Sequence, residues 1–252
     1  GVDDPEGMVE MILQELEGRG VSDASWTSVG TQVLVRINFG GEAGELSYAL
    51  EGRGVPVISV GESMVIFKDL GTSRDLDSVY GISAMRSTHG IGHARLATES
   101  RVSRDRAHPF WAYGFKDVAI VHNGQLTNYY RLRRRFERMG YRFRTDNDSE
   151  LIAIYVAHFL GAGLRLEDIL QRSLGDLDGT YTFIVATPDE IGFAKDKLGA
   201  KPLVYADLED RVVLASEEVA LRTVIPEEGV RVVEPPPLAV ARWSRRREAV
   251  AV

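Results

Sequence analysis

Segments of strand character and segments of helical character are grouped along this chain, and they do not alternate. That grouping constrains the fold more than any other feature. A first helix is expected with Asp4 as its cap and Pro5 in its first turn. Met8, Val9, Ile12, Leu13 and Leu16 form its apolar stripe, and Gly18 and Gly20 close it. Strands are expected at 32–38, where Val33, Val35 and Ile37 alternate, and at 63–68, 90–98 and 117–122. Helical spacing then takes over at 126–139, 148–160 and 166–174. Strands return at 180–187, 191–195, 203–205 and 212–215, followed by a short helix at 217–223 and strands at 230–233 and 238–243. Such segregation predicts an α+β fold, with antiparallel sheets covered by helices, rather than a doubly wound parallel sheet. No linker interrupts the pattern. One domain is expected over 1–243, with an exposed basic tail at 244–252 that carries Arg245-Arg246-Arg247. Pro235-Pro236-Pro237 marks a strand break or the start of that tail.

Composition narrows the function classes. The chain has 252 residues, 44% of them hydrophobic and 27% charged, which excludes a disordered or fibrous protein. No apolar run reaches the roughly 18–20 residues of a membrane span, and Gly1-Val2-Asp3-Asp4 has no signal-peptide layout. A net charge of −7 makes nucleic acid a poor partner. There is no cysteine, so disulfides, thiolate metal sites and thiol catalysis by these residues are excluded. A cytoplasmic location is expected. His89 and His93 are four apart, but no metal-ligand pattern joins them, and no phosphate-binding loop or nucleophile-elbow serine motif occurs. No metal and no cofactor are expected.

Four regions carry unusual content. Gly90–Ser100 places two glycines, His93 and Arg95 in a strand-like run, where glycine often marks the close approach of a ligand or another backbone. Arg95 offers a planar fork for a carboxylate, or is an ordinary surface arginine. At Val121-His122-Asn123-Gly124 a hydrophobic strand runs into Asn-Gly. This pair reads as a turn, or as a side-chain amide and a backbone N–H presented to a developing oxyanion. Thr145-Asp146-Asn147-Asp148-Ser149-Glu150 reads as helix capping, or as a carboxylate offered to an ammonium group. Asp176–Phe183, Lys195–Leu203 and Ser216–Leu221 read singly as turns and a helix start.

Taken in order, these segments resemble one family. Gly92-His93-Ala94-Arg95-Leu96-Ala97-Thr98, His122-Asn123-Gly124, Asn147-Asp148-Ser149-Glu150, Asp178-Gly179-Thr180-Tyr181, the run Lys195–Leu203, and Ser216-Glu217 with Ala220-Leu221 are similar to the motifs of class II glutamine amidotransferases. These are N-terminal-nucleophile hydrolases, and the resemblance spans about residues 88–222. It implies a four-layer αββα sandwich of two antiparallel sheets. It also implies that Arg95 holds the α-carboxylate of L-glutamine, with Thr98 beside it. Asp148 would hold the α-ammonium, and Asn123 and Gly124 would form the oxyanion hole. Ala97-Thr98-Glu99-Ser100 and the run Thr127–Arg135 look most like the stand-alone amidotransferase subunit of split glutamate synthases and N-methylglutamate synthases. Flavin-containing and β-helix-type synthase subunits are then the implied partners. Lys195 and Lys197 depart from the Arg-Asp-Pro that the family pattern has there. The family's nucleophile is an N-terminal cysteine on a first hydrophobic strand. Neither is found here, and residues upstream of Gly1 are expected to supply both. The alternative is a non-catalytic relative that binds glutamine or scaffolds a synthase complex.

Overall fold

The computed structural model describes residues 4–95, 103–225 and 228–245. At its centre is a five-stranded antiparallel sheet in the order β3 (Phe110–Trp111), β4 (Ala119–Leu126), β5 (Gly179–Ala186), β6 (Glu190–Lys195), β9 (Val240–Ser244). The strands follow in chain order, with three helices inserted between β4 and β5, and β9 returns to pair with β6. Val118–Val121, Phe183 and Val185 are buried, as an apolar run shielded by helices should be.

Two helices cover this sheet. α5 (Asp148–Gly161) lies against β3 and β4, and α6 (Leu166–Asp176) against β6 and β9. Leu151 to Ala157 are all buried, so α5 is enclosed on every side, and α4 (Tyr129–Arg138) packs on it. α4 buries only Tyr129, Leu132 and Phe136 and turns Arg131, Arg134, Arg135 and Arg138 outward, while Arg133 is half-buried over Phe143.

Before the sheet come α1 (Pro5–Leu16), the hairpin β1 (Ser22–Val29) and β2 (Gln32–Asn38), α2 (Ala43–Gly52) and α3 (Ser73–Tyr80). Asp4 caps α1 as expected, its Oδ1 accepting the Gly7 N–H at 2.9 Å. Val9, Ile12 and Leu16 are buried, while Leu13 is exposed. After β6 come the hairpin β7 (Val204–Asp207) and β8 (Val212–Ala215), then α7 (Glu218–Val224). The architecture is α+β with antiparallel sheets, consistent with the helix-covered sandwich.

Four expectations change. The stretch 63–68 forms no strand, because Asp117 takes its hydrogen bonds: the carboxylate accepts the Glu62, Ser63 and Met64 N–H groups at 2.8–3.0 Å. The described part of 90–98 is likewise without strand pairing. The stretch 230–233 contributes a single bridge, Val233 to Tyr205. The helix expected from 126 starts at Tyr129, because β4 continues to Leu126, which pairs with Gly179. The proposed tail at 244–252 lies largely outside the described residues, although Ser244 ends β9 and Arg245 N–H donates to the Asp189 carbonyl at 2.9 Å.

Candidate active site

β4 changes character along its length. Ala119 to His122 are buried, then Asn123 is exposed and Gly124 partly so. The Asn-Gly pair is therefore not a hairpin turn. It lies within a strand, with Asn123 opposite Thr182 and Gly124 opposite Tyr181. Gly124 has φ +138°, and a Cβ there would meet the Thr180 carbonyl oxygen at 2.0 Å. Only glycine fits this backbone at this spacing. Gly179 mirrors it at φ +148°, where a Cβ would meet the Gln125 carbonyl oxygen at 2.1 Å. The Asp178-Gly179 motif thus keeps β5 close to the end of β4 that bears Asn123 and Gly124.

The first turn of α5 approaches the same strand. Asp148 Oδ2 accepts the Leu126 N–H at 2.8 Å, and its Oδ1 lies 3.5 Å from His122 Nδ1. Burial alone would raise the Asp148 carboxyl. The contacts with His122 and with the Leu126 and Ser149 backbone outweigh it and hold the group below the usual carboxylate range. Asp148 is therefore an anion at neutral pH, with one oxygen committed to the strand.

Its neighbours serve the same corner. Asn147 Oδ1 accepts the Ser149 N–H at 2.8 Å, which is the capping role expected of it. Buried Glu150 accepts the Arg144 and Thr145 N–H groups at 2.8 Å each and the Thr145 hydroxyl at 2.7 Å. Capping and an ionised carboxylate are both present in this motif, on different residues.

Three histidines meet beneath this corner. Ser149 Oγ lies 2.9 Å from His122 Nδ1 and 3.0 Å from His108 Nε2. The His93 ring packs on His108 with centroids 4.2 Å apart. Burial, with His93, His122, Lys68 and Arg95 around it, pushes the His108 imidazole down to about 2, so it is neutral. His108 Nδ1 and His122 Nε2 are buried without a hydrogen-bond partner among the described residues. His89, in contrast, turns away, with Nε2 2.7 Å from the Thr187 carbonyl oxygen.

Arg95 is exposed, and its charge acts on both His93 and His108. Asn123, Gly124 and Asp148 thus meet at His122, and the Arg95 charge bears on His93 and His108 of the same histidine cluster. Thr98 lies outside the described residues. Sequence reasoning missed Ser149, His108 and His122 as site components. Their signal was a polar residue inside an apolar strand and a serine beside a candidate carboxylate, which acquires meaning only through the contact across 27 residues.

The Lys195-Asp196-Lys197 motif is structural. Asp196 is 1% exposed and accepts the Tyr181, Leu198 and Gly199 N–H groups at 2.7–3.2 Å. Lys195 is also buried and donates from Nζ to the Pro235 carbonyl at 3.1 Å, which anchors the triple proline. A separate cavity of about 510 Å³ opens between the start of α4 and the end of α6, lined by Asn128, Arg131, Leu174, Asp178 and Lys197 among others. It does not include Arg95, Asn123, Gly124 or Asp148.

The glutamine amidotransferase domain family matches residues 93–223 of this chain. A protein of Methanothermobacter thermautotrophicus, provisionally named a glutamine amidotransferase, is 42% identical over 181 residues, covering 72% of this chain and 59% of its own length. Glutamine amidotransferase-like protein GlxB of Rhizobium meliloti is 37% identical over 195 residues, covering 77% and 64%. An amidophosphoribosyltransferase of Methanocaldococcus jannaschii is 32% identical over 187 residues, covering 73% and 39%. The chain thus spans less than two thirds of each of these relatives. Among solved structures, the allosteric regulatory enzyme of purine biosynthesis shares the fold, with a TM-score of 0.51 at 21% identity, over 96% of this chain and 47% of that one. Among the described residues no helix is long and apolar enough to cross a membrane.

Proposed function

This chain belongs to the glutamine amidotransferase domain family, and on that premise we propose that it binds L-glutamine and takes part in its hydrolysis to glutamate and ammonia. The observation that carries this reading is the meeting of an ionised Asp148 with the Asn123–Gly124 end of β4. A free amino acid presents one charge of each sign. Arg95 answers the α-carboxylate and Asp148 the α-ammonium, with Thr98 beside Arg95. Attack on the carboxamide places negative charge on its oxygen. The Asn123 side-chain amide and the Gly124 N–H are the two donors for that oxyanion, and loss of one typically costs about 10²–10³ in rate.

The family chemistry uses a thiol nucleophile, and these 252 residues contain none. Hydrolysis therefore requires that the full-length protein supply an N-terminal cysteine. An α-amine near pKa 7.7–8.0 is suited to act as its base. The ammonia would pass to a synthase partner of the glutamate synthase type. Such an enzyme would work in the cytoplasm with flavin-containing and β-helix-type subunits. The second reading, a relative that binds glutamine or scaffolds a complex without turnover, holds where no such cysteine is supplied.

Calorimetry with L-glutamine, a glutaminase assay and labelling by a glutamine-analogue diazoketone, all on the full-length protein, separate the two. Turnover with covalent labelling supports the enzyme. Binding without turnover supports the second reading. Absence of binding sinks the enzyme and the glutamine-binding relative and leaves only the scaffold, and binding that Arg95→Ala and Asp148→Asn leave intact sinks the proposed site.

A further inference from the structure

A serine hydroxyl has one proton and two lone pairs. That of Ser149 faces two imidazole nitrogens, His122 Nδ1 at 2.9 Å and His108 Nε2 at 3.0 Å. The three residues come from three segments: the stretch before β3, β4 itself, and the first turn of α5. His122 directly precedes Asn123–Gly124, and Ser149 directly follows Asp148. The hydroxyl is thus one residue removed from each half of the candidate site.

The neighbouring carboxylate biases where the His122 proton sits, and the closer Ser149 hydroxyl fixes it. Asp148 Oδ1 is 3.5 Å from Nδ1 and carries negative charge. A lone pair on Nδ1 would face that charge and be repelled, whereas an N–H is attracted. His122 therefore carries its proton on Nδ1. Ser149 Oγ accepts that N–H, leaving its own proton and second lone pair for His108 Nε2. His122 Nε2, buried and unpartnered among the described residues, then bears a lone pair, which costs less to orphan than an N–H.

We propose that Ser149 is a positioning residue. Its hydroxyl, with Asp148, holds His122 as the Nδ1–H tautomer and ties β4 to α5. That tie sets the separation between the Asn123–Gly124 donors and the Asp148 carboxylate. The inference rests on the glutamine reading above for its functional consequence, while the tautomer is measurable without any ligand.

The test compares the full-length protein with its Ser149→Ala and Ser149→Thr forms. Long-range ¹H–¹⁵N NMR reads the protonation of each imidazole nitrogen, and calorimetry reads glutamine affinity. In the parent protein His122 should show a protonated Nδ1 and a bare Nε2. Ser149→Ala should lose that signature and weaken glutamine binding about tenfold, and Ser149→Thr, which keeps the hydroxyl, should restore both. Unchanged His122 nitrogens, or unchanged glutamine affinity, in Ser149→Ala overturns the proposal. Where Ser149→Ala does not fold, His108→Phe replaces it: this change removes one partner of the hydroxyl only, and loss of the His122 Nδ1–H signal there overturns the assignment. A parent protein that shows the tautomer, loses it in Ser149→Ala and binds no glutamine supports the tautomer lock and overturns the glutamine reading instead.

Discussion

At Gly124 a methyl group would meet the Thr180 carbonyl oxygen at 2.0 Å and the Tyr181 Cα at 2.7 Å, on a backbone with φ +138°. Both neighbours are backbone and cannot swing aside. Gly124→Ala should destabilise the protein by about 2–4 kcal/mol and part β4 from β5, as measured by urea unfolding. Lys68 shows the opposite case, a residue whose removal should help. It is buried, its Nζ sits 5.0 Å from the Phe110 ring centroid, and among the described residues no acidic group pairs with it. Burial, reinforced by the Arg144 charge, lowers its pKa from 10.5 to about 8. The folded state thus holds this proton less tightly than the unfolded chain. The penalty is complete below pH 8 and is relieved as pH rises from about 8 towards 10.5, where the unfolded chain binds more protons. Lys68→Met should therefore stabilise the protein by roughly 1–3 kcal/mol at pH 7, and the gain should shrink above pH 10. Equal gains at pH 7 and pH 10.5 would show that the lysine's charge is not the cause. At this scale the candidate ligand-holding types stood out in the sequence, since Arg, Asp and Asn-Gly have few other combined uses. Lys68 was not, because an isolated lysine in a β-type run reads as a solvent-facing residue.

Elements were legible where the stripe was clean and lost where hydrogen bonding overrode it. α5, α6 and β8 lie within two residues of their expected bounds, because their apolar periodicity is unbroken. α2 went unseen. Its buried face is Ala43, Leu46, Ser47 and Leu50, and the serine interrupts the stripe by bonding back to the Ala43 carbonyl at 2.8 Å. α3 buries only Tyr80, so its one readable signal was the Thr72–Asp75 capping box. The run 63–68 looked like a strand because Met64-Val65-Ile66-Phe67 is apolar. Asp117, more than 50 residues away, decides otherwise by taking the N–H groups of Ser63 and Met64 and that of Glu62 just before them. This carboxylate should be the organiser of that element. Asp117→Ala should cost about 2–3 kcal/mol by leaving those donors unpaired, and Asp117→Asn less, because one acceptor oxygen and the tolerance for φ +52° remain. Chemical denaturation of both variants checks the order, and equal losses would show that the backbone conformation matters more than the hydrogen bonds.

For the whole molecule, the order of motifs was more informative than any one of them. Read together they spanned about 88–222, and the family match covers 93–223. What the order did not reveal is that the described residues form two apolar cores of unequal size. The main core joins α1, α2, the central sheet and α4 to α6. A second, small one consists of Ala206, Leu221 and Ile225, with Val204, Val213 and Ala215 packed against it. Hairpin β7–β8 and helix α7 form this unit. Its described ties to the rest include the bridge from Tyr205 to Val233, the aromatic contacts of Tyr205 with Phe193 and Trp243, and the Trp243 Nε1–H donated to Asp207 at 2.9 Å. Few buried apolar contacts and a narrow attachment make a low-energy opening unit. Amide exchange of Val204–Asp207 and Val212–Ala215 should therefore be faster, as one cooperative group, than that of β4 and β5. Leu221 is fully buried at the centre of the small core. Leu221→Ala should remove about 2–4 kcal/mol from that local opening and speed exchange across the hairpin, while amides of β4 and β5 keep their protection. If exchange in β4 and β5 accelerates equally, the two cores unfold as one, and a perturbation at the hairpin then reaches the Asn123–Gly124 end of β4 through the common core.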